Sequence, residues 1–136
     1  MVAARRSVGP VIDRVFPQGG ELHELNIAAA ILDRVAAEAA RHGGARFTKV
    51  GVRVGELSGV DPEALSFGFQ ALVMESEWER LALEIEYCPR VQRCRQCAHE
   101  FPSPNCETVC PKCSAQDTVS VAGEELDIAY IEVEDE

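Results

Sequence analysis

Two cysteine pairs of the form Cys-x-x-Cys constrain this chain more than any other feature. Cys94 and Cys97 form the first pair, Cys110 and Cys113 form the second, and twelve residues lie between the pairs. A turn of this spacing directs two thiolates to one point, and two such turns supply the four ligands of a closed, tetrahedral zinc site. The spacing therefore predicts a small zinc ribbon with a structural Zn²⁺, in preference to a redox-active or catalytic centre.

Composition and charge narrow the class of protein. The chain has 136 residues, of which 46% are hydrophobic, which is enough for one domain with a packed core. No segment approaches the ~20 apolar residues of a membrane span. The net charge of −10 argues against nucleic-acid binding, because a phosphate backbone attracts a basic surface. The metal-ligand spacing of four of the six cysteines, and the lack of an apolar signal segment, indicate a reducing, cytoplasmic setting.

Hydrophobic periodicity predicts two helices and four strands outside the cysteine region. The predicted helices cover 24–42 and 61–75, and the predicted strands cover 47–54, 81–86, 118–121 and 126–133. Asp61 and Pro62 mark the start of the second helix, because aspartate is a favoured N-cap and proline fits the first helical turn.

The order of these elements predicts an α+β fold, in which two helices lie on a small sheet. The last strand is expected to return to that sheet, because its apolar side needs a partner, so the zinc ribbon is an inserted subdomain. The predicted divisions are 22–88 plus 122–136 for the α+β domain and 89–121 for the ribbon. Residues 1–21 are basic at their start and rich in proline and glycine, which predicts a flexible leader or a mis-assigned start.

Several segments occur in the order and spacing of a known family. They are His23-Glu24-Leu25, the stretch 54–65 (VGELSGVDPEAL), the two cysteine pairs, 123–126 (GEEL) and 131–133 (IEV). Over residues 22–133 the chain resembles the HypA/HybF family of hydrogenase nickel-incorporation proteins. The resemblance implies a nickel-binding α+β domain beside the zinc ribbon.

The resemblance also implies a function and partners. The protein would be a nickel metallochaperone, not an enzyme, that carries Ni²⁺ as transient cargo to the large-subunit precursor of [NiFe]-hydrogenase. Its implied partners are a HypB-type GTPase and that precursor. Because some members of the family also serve urease, urease accessory proteins are further candidates. The sequence leaves the oligomeric state open, with a homodimer among the alternatives.

The family's chain begins Met-His-Glu and holds nickel at that terminus, so the resemblance assigns nickel binding to Leu22, His23 and Glu24. The four paired cysteines carry over as the zinc ligands. Nickel(II) accepts four nitrogen ligands in a plane, and an α-amine, two backbone amides and an imidazole can supply them. Here 21 residues precede Leu22, so a free amine at this position requires a chain that starts there. Without the resemblance, His23 would be interpreted as a surface histidine near a helix start.

The cysteine pattern alone leaves two alternatives. The segment 110–113 is similar to a rubredoxin knuckle, and four thiolates also bind iron, so a rubredoxin-like electron carrier is one of them. The other is a zinc-ribbon adaptor for nucleic acid, which would use basic residues such as Arg93 and Arg95 against the acidic balance of the chain. Cys88 and Cys106 are thiols outside the pairs, and 75–80 replaces a glycine-containing turn expected in the family.

Overall fold

The computed structural model describes residues 4–7, 13–14, 24–43, 46–105 and 107–135. The helices are α1 Glu24–Arg41 and α2 Pro62–Val73. The strands are β1 Ala4–Ser7, β2 Asp13–Arg14, β3 Arg46–Gly55, β4 Ala82–Cys88, β5 Val91–Cys94, β6 Glu100–Pro102, β7 Thr118–Ala122 and β8 Leu126–Asp135. In these ranges no helix combines the length and the apolar character that crossing a bilayer requires.

The larger sheet brings the last strand of the chain back beside β3. Its central strand, β3, is parallel to β4 and antiparallel to β8. A parallel pair needs a crossover connection, which α2 supplies between β3 and β4. Val50 shows the register, since it lies opposite Leu83 of β4 and Ile131 of β8. The last strand therefore returns to the first sheet, and the predicted α+β fold with an inserted ribbon is confirmed.

One hydrophobic core packs the two helices against this sheet. Its largest fully buried side chains are Phe69, Ile27, Ile31, Leu65, Ile128 and Ile131. Burial of each such side chain contributes about 1.5–3 kcal/mol. Val50, Val52 and Val54 all belong to the core, so the strand predicted at 47–54 buries these valines against the helices.

The start and end of α2 follow from its sequence. The Asp61 carboxylate accepts a hydrogen bond from the Glu63 N–H at 3.0 Å, and Pro62 occupies the first helical turn, as predicted. The helix ends at Val73, slightly earlier than expected. Glu75 then adopts a φ of 60°, a left-handed conformation that suits glycine better than an L-residue. This residue lies in the segment where a glycine-containing turn was expected.

The second sheet is small and consists of β5 between β6 and β7, with both pairs antiparallel. Within the described part of the ribbon, its buried hydrophobic cluster consists of Cys94, Phe101 and Cys110. A domain with so few buried apolar side chains usually needs a metal or a disulfide for stability.

Two stretches near the N-terminus pair with β8. Ser7 of β1 lies opposite Glu132, and Asp13 of β2 lies opposite Ile128, both in antiparallel register. The sequence patterns did not predict these strands. The interpretation of residues 1–21 as a flexible leader or a mis-assigned start stays a prediction, as do the exact domain divisions.

Candidate metal centre

The two cysteine pairs lie in two separate turns that have the same pattern of hydrogen bonds. In both turns the first cysteine donates its N–H to a carbonyl five residues later, and its own carbonyl accepts an N–H from four residues later. The four bonds, each 2.9 Å long, run from Cys94 N to His99 O, Ala98 N to Cys94 O, Cys110 N to Ala115 O, and Ser114 N to Cys110 O. The ribbon therefore presents two equivalent knuckles to one centre.

Each knuckle has a left-handed residue directly after its second cysteine. Ala98 and Ser114 both have a φ of 64°. A non-glycine residue in this region costs roughly 1–2 kcal/mol. An additional stabilising interaction is needed to offset this conformational cost, and a metal ion bound by both turns would supply it.

The two knuckles bring all four predicted zinc ligands together. The Sγ atoms of Cys94 and Cys113 are 3.5 Å apart, those of Cys97 and Cys110 are 3.6 Å apart, and all four lie within 4.8 Å of one another. A tetrahedral zinc site with Zn–S bonds of about 2.3 Å has sulfur atoms roughly 3.8 Å apart. The donor set is complete with four thiols, so the group fits a closed structural zinc site.

The backbone around the thiols favours their ionised form unequally. N–H groups of Cys97 and Gln96 donate to the Cys94 sulfur and lower the pKa of Cys94 to about 7. The N–H of Ala115 favours the Cys113 thiolate too, but the neighbouring sulfurs, Cys94 first, raise the pKa of Cys113 to about 12. Four thiolates this close repel one another, and a divalent cation removes that repulsion.

Among the described residues, Cys88 is the one cysteine outside this group. Cys88, at the end of β4, is half-buried. Burial and the nearby carboxylate of Glu125 raise the pKa of the Cys88 thiol, which keeps it protonated and unreactive. Cys106 lies outside the described residues.

The ribbon meets the larger sheet at a crossing of three chain segments. The N–H of Gly55 donates to the Glu125 carbonyl at 2.7 Å, and the N–H of Leu57 donates to the Gly123 carbonyl at 2.6 Å. A Cβ atom on Gly55 would lie only 2.1 Å from that Gly123 carbonyl oxygen. Gly123 itself has a φ of 113°. Both glycines are therefore required by the close approach of the two backbones.

A carboxylate completes this junction. Oε1 of Glu56 accepts a hydrogen bond from the backbone N–H of Arg90 at 3.0 Å, where the chain enters the ribbon. Arg90 also lies against Gly123, since its Cα atom is 2.9 Å from the position of a Cβ on that glycine. Gly55, Glu56 and Gly123 belong to the segments that carry the family resemblance, yet no local pattern predicted that they meet.

Of the three predicted nickel residues, only Glu24 is described, and Leu22 and His23 lie outside the described ranges. Glu24 is the first residue of α1, and its Oε1 atom accepts a hydrogen bond from the Asp61 N–H at 3.3 Å. The start of α1 thus lies against the start of α2. Leu25 of α1 packs beside Gly68 of α2, since a Cβ at Gly68 would lie 3.6 Å from Leu25 Cδ1, an ordinary contact distance.

Comparison with related sequences agrees with this architecture. A family model described as "Hydrogenase/urease nickel incorporation, metallochaperone, hypA" matches residues 22–133. The "Hydrogenase maturation factor HypA" of Solidesulfovibrio magneticus is 42% identical over 118 residues, which are 83% of this chain and 100% of the relative. The protein of the same name from Pelodictyon phaeoclathratiforme is 35% identical over 115 residues, or 85% of this chain and 98% of the relative.

Two solved structures share the fold. One, described as "Solution structure of HypA protein", has a TM-score of 0.62 with 22% identity and covers 84% of this chain and 98% of its own. The other, the Ni metallochaperone HypA from Helicobacter pylori, has a TM-score of 0.56 with 22% identity and covers 85% and 100%. With the family model matched over most of its length, this chain belongs to the HypA family of hydrogenase and urease nickel-incorporation metallochaperones.

Proposed function

We propose that this protein binds Ni²⁺ through residues 22–24 and delivers it to the large-subunit precursor of [NiFe]-hydrogenase, without catalysing a reaction itself. The observation that carries the proposal is the family match, which begins at residue 22, the first residue of the Leu22-His23-Glu24 segment. That segment corresponds to the nickel-binding terminus implied by the resemblance.

The proposed nickel site uses nitrogen donors. The imidazole of His23, the backbone nitrogens of His23 and Glu24, and the nitrogen of residue 22 would surround Ni²⁺ in a plane. The Glu24 carboxylate accepts the Asp61 N–H, which holds the first residue of α1 against the start of α2. A leader bound to residue 22 turns an amine into a peptide nitrogen, so a chain that starts at residue 22 is expected to bind nickel more tightly.

We assign the second metal, Zn²⁺, to Cys94, Cys97, Cys110 and Cys113. Four thiolates leave zinc no open position, so its role is to hold the ribbon together and not to activate a substrate. Iron in the same four sulfurs would make an electron carrier, and a red colour with iron in elemental analysis of the purified protein would favour that alternative. Colourless protein with one zinc per chain is the expected result.

The proposed protein partners follow from the proposed role in carrying Ni²⁺. We propose a HypB-type GTPase and the hydrogenase precursor as the proteins that this chain meets in the cytoplasm, with urease accessory proteins as further candidates. The net charge of −10 gives no support to a nucleic-acid adaptor.

Isothermal titration with NiCl₂ tests the nickel site. Four proteins are compared: the full chain, a chain that begins at residue 22 with Leu22→Met, and each of these with His23→Ala. The shortened chain should bind Ni²⁺ more tightly than the full chain, because it regains the α-amine. His23→Ala should abolish specific nickel binding in both, with zinc content unchanged.

His99→Ala is the matched control, since His99 lies in the ribbon after the first cysteine pair. It should titrate like its parent. Nickel binding that survives His23→Ala unchanged would refute the assignment of the site. Failure of the nickel-loaded protein to transfer Ni²⁺ to the isolated precursor would refute the delivery step alone.

A further inference from the structure

An apolar strip runs along the outer side of α2. Phe67 and Met74 have 77% and 64% of their surface exposed, and Ala71 lies between them on the same helical face. Leu25 of α1 is 53% exposed and reaches α2 at Gly68, directly after Phe67. Aromatic and methionine side chains of this exposure are typical of surfaces that bind a partner.

A groove continues the strip toward the edge of the larger sheet. It has a volume of about 350 Å³ and lies between α2 and β4, the strand at the end of the sheet. Met74 and Val73 line it on the helix side, and Ala82 and Leu83 line it on the strand side. A space of this size accepts one or two large apolar side chains, so the strip and the groove together form a surface with a place for an anchor residue.

The chain segment that carries most of this surface is acidic. Between residues 54 and 79 the chain has no lysine, arginine or histidine, but it has six acids. The acids are Glu56, Asp61, Glu63, Glu75, Glu77 and Glu79. The surface would therefore attract a partner that carries lysine or arginine around its apolar side chains.

We propose that Phe67, Ala71, Met74 and the adjoining groove dock a basic amphipathic helix of the protein that exchanges nickel with this chain. The inference rests on the proposed function: Glu24, the described residue of the proposed nickel segment, begins α1, and the next residue, Leu25, contacts α2 at Gly68. Apolar residues spaced along α2 suit helix-against-helix packing, in which an apolar stripe lies in a groove.

The charge also argues against two other occupants. A second copy of this chain would bring a second acidic surface against the first, and the like charges would repel. An anionic lipid surface would be repelled for the same reason. A basic protein segment satisfies both the apolar strip and its acidic surroundings.

Affinity for the HypB-type GTPase of the same organism, and separately for the hydrogenase precursor, tests the proposal. Phe67→Ala and Met74→Ala should each weaken binding to one of these proteins roughly tenfold or more, as expected for exposed anchor residues. Val109→Ala is the matched control, because Val109 is 48% exposed but belongs to the ribbon. It should change affinity less than about twofold, the range of near-neutral contacts.

Two charge-removing substitutions distinguish electrostatic attraction from apolar packing. Glu63→Gln should slow association and reduce its salt dependence, whereas Glu86→Gln, on exposed β4, should do neither. Because Phe67 and Glu63 are exposed, these variants should keep the circular dichroism spectrum of the parent, and nickel titration should be unchanged.

Three results would overturn the docking surface. One is partner binding that is unaffected by Phe67→Ala and Met74→Ala. Another is a dimer of the free protein that Phe67→Ala converts to monomer, which would make the surface a self-interface. The last is no binding to either protein. Nickel titration of the same samples reports on the proposed nickel site independently of these outcomes.

Discussion

The larger sheet and the ribbon bury very different amounts of apolar surface. Among the residues that the structure describes, the helices and the larger sheet share a cluster of seventeen buried hydrophobic residues, whereas the ribbon cluster has three, two of which are cysteines. The first region can be held by the hydrophobic effect alone. The second has no comparable core, and its turns contain two left-handed non-glycine residues. We therefore expect the stability of the ribbon, but not that of the helical region, to depend on the metal.

Loss of the metal should have the largest effect, because it should unfold the ribbon and leave the helical region folded. In Cys94→Ser, or after chelation of zinc, the ribbon should lose its fold, since zinc binding supplies on the order of 10 kcal/mol to such sites. Hydrogen exchange should become fast in β5–β7 while amides of α1 stay protected. Equal loss of protection in α1 would show that the two regions fold as one unit.

A core substitution should affect the other region. Phe69 is buried and Phe67 is exposed, two positions apart on the same helix. Phe69→Ala should lower the free energy of unfolding of the helical region by about 3–5 kcal/mol, because it leaves a cavity. Phe67→Ala should change it by less than ~0.5 kcal/mol.

Urea denaturation measures both of these variants, and zinc content serves as the second readout. If Phe69→Ala lost its zinc in native buffer, the ribbon would depend on the helical core and the division between the regions would fail.

A substitution at the junction between the ribbon and the larger sheet should have a smaller effect on stability. Gly55→Ala places a Cβ against the Gly123 carbonyl, so it should cost about 1–3 kcal/mol and loosen the ribbon from the sheet. Gly68→Ala is the matched control, since its Cβ would meet Leu25 at an ordinary 3.6 Å. In a helix interior that change should stabilise by roughly 0.5–1 kcal/mol.

Thermal denaturation of the two glycine variants gives the sign of each effect. Relaxation measurements by NMR on the ribbon amides would report whether its tumbling becomes independent of the sheet. A Gly55→Ala protein as stable as its parent would contradict the close backbone contact.

Local patterns in the sequence predicted the parts of the molecule that short-range physics controls. The Cys-x-x-Cys spacing identified the four thiols, because a tight turn fixes two sulfurs relative to each other. Apolar spacing identified α1 and β3, and Asp61 with Pro62 identified the start of α2, because helix ends and amphipathic faces depend on neighbours within a few residues.

Contacts between distant segments required the tertiary structure. Arg53 forms two hydrogen bonds of 2.8 and 2.7 Å with Asp127, a residue that lies opposite it only because of the β3–β8 register. The ring of Tyr130 lies over Gly51 for the same reason. One-residue shifts in pairing would separate these partners, and no local pattern determines the register.

The sequence by itself therefore determined the two helices, strands β3, β4 and β8 of the larger sheet and the four-thiol group. The tertiary structure alone decided how the ribbon attaches, through Gly55, Glu56 and Gly123, and that the apolar side chains of Phe67 and Met74 stay exposed. Attachment depends on backbone approach between segments more than 60 residues apart in the chain, and exposure depends on which helical face the sheet covers. Both are set by packing, which short-range sequence patterns do not encode.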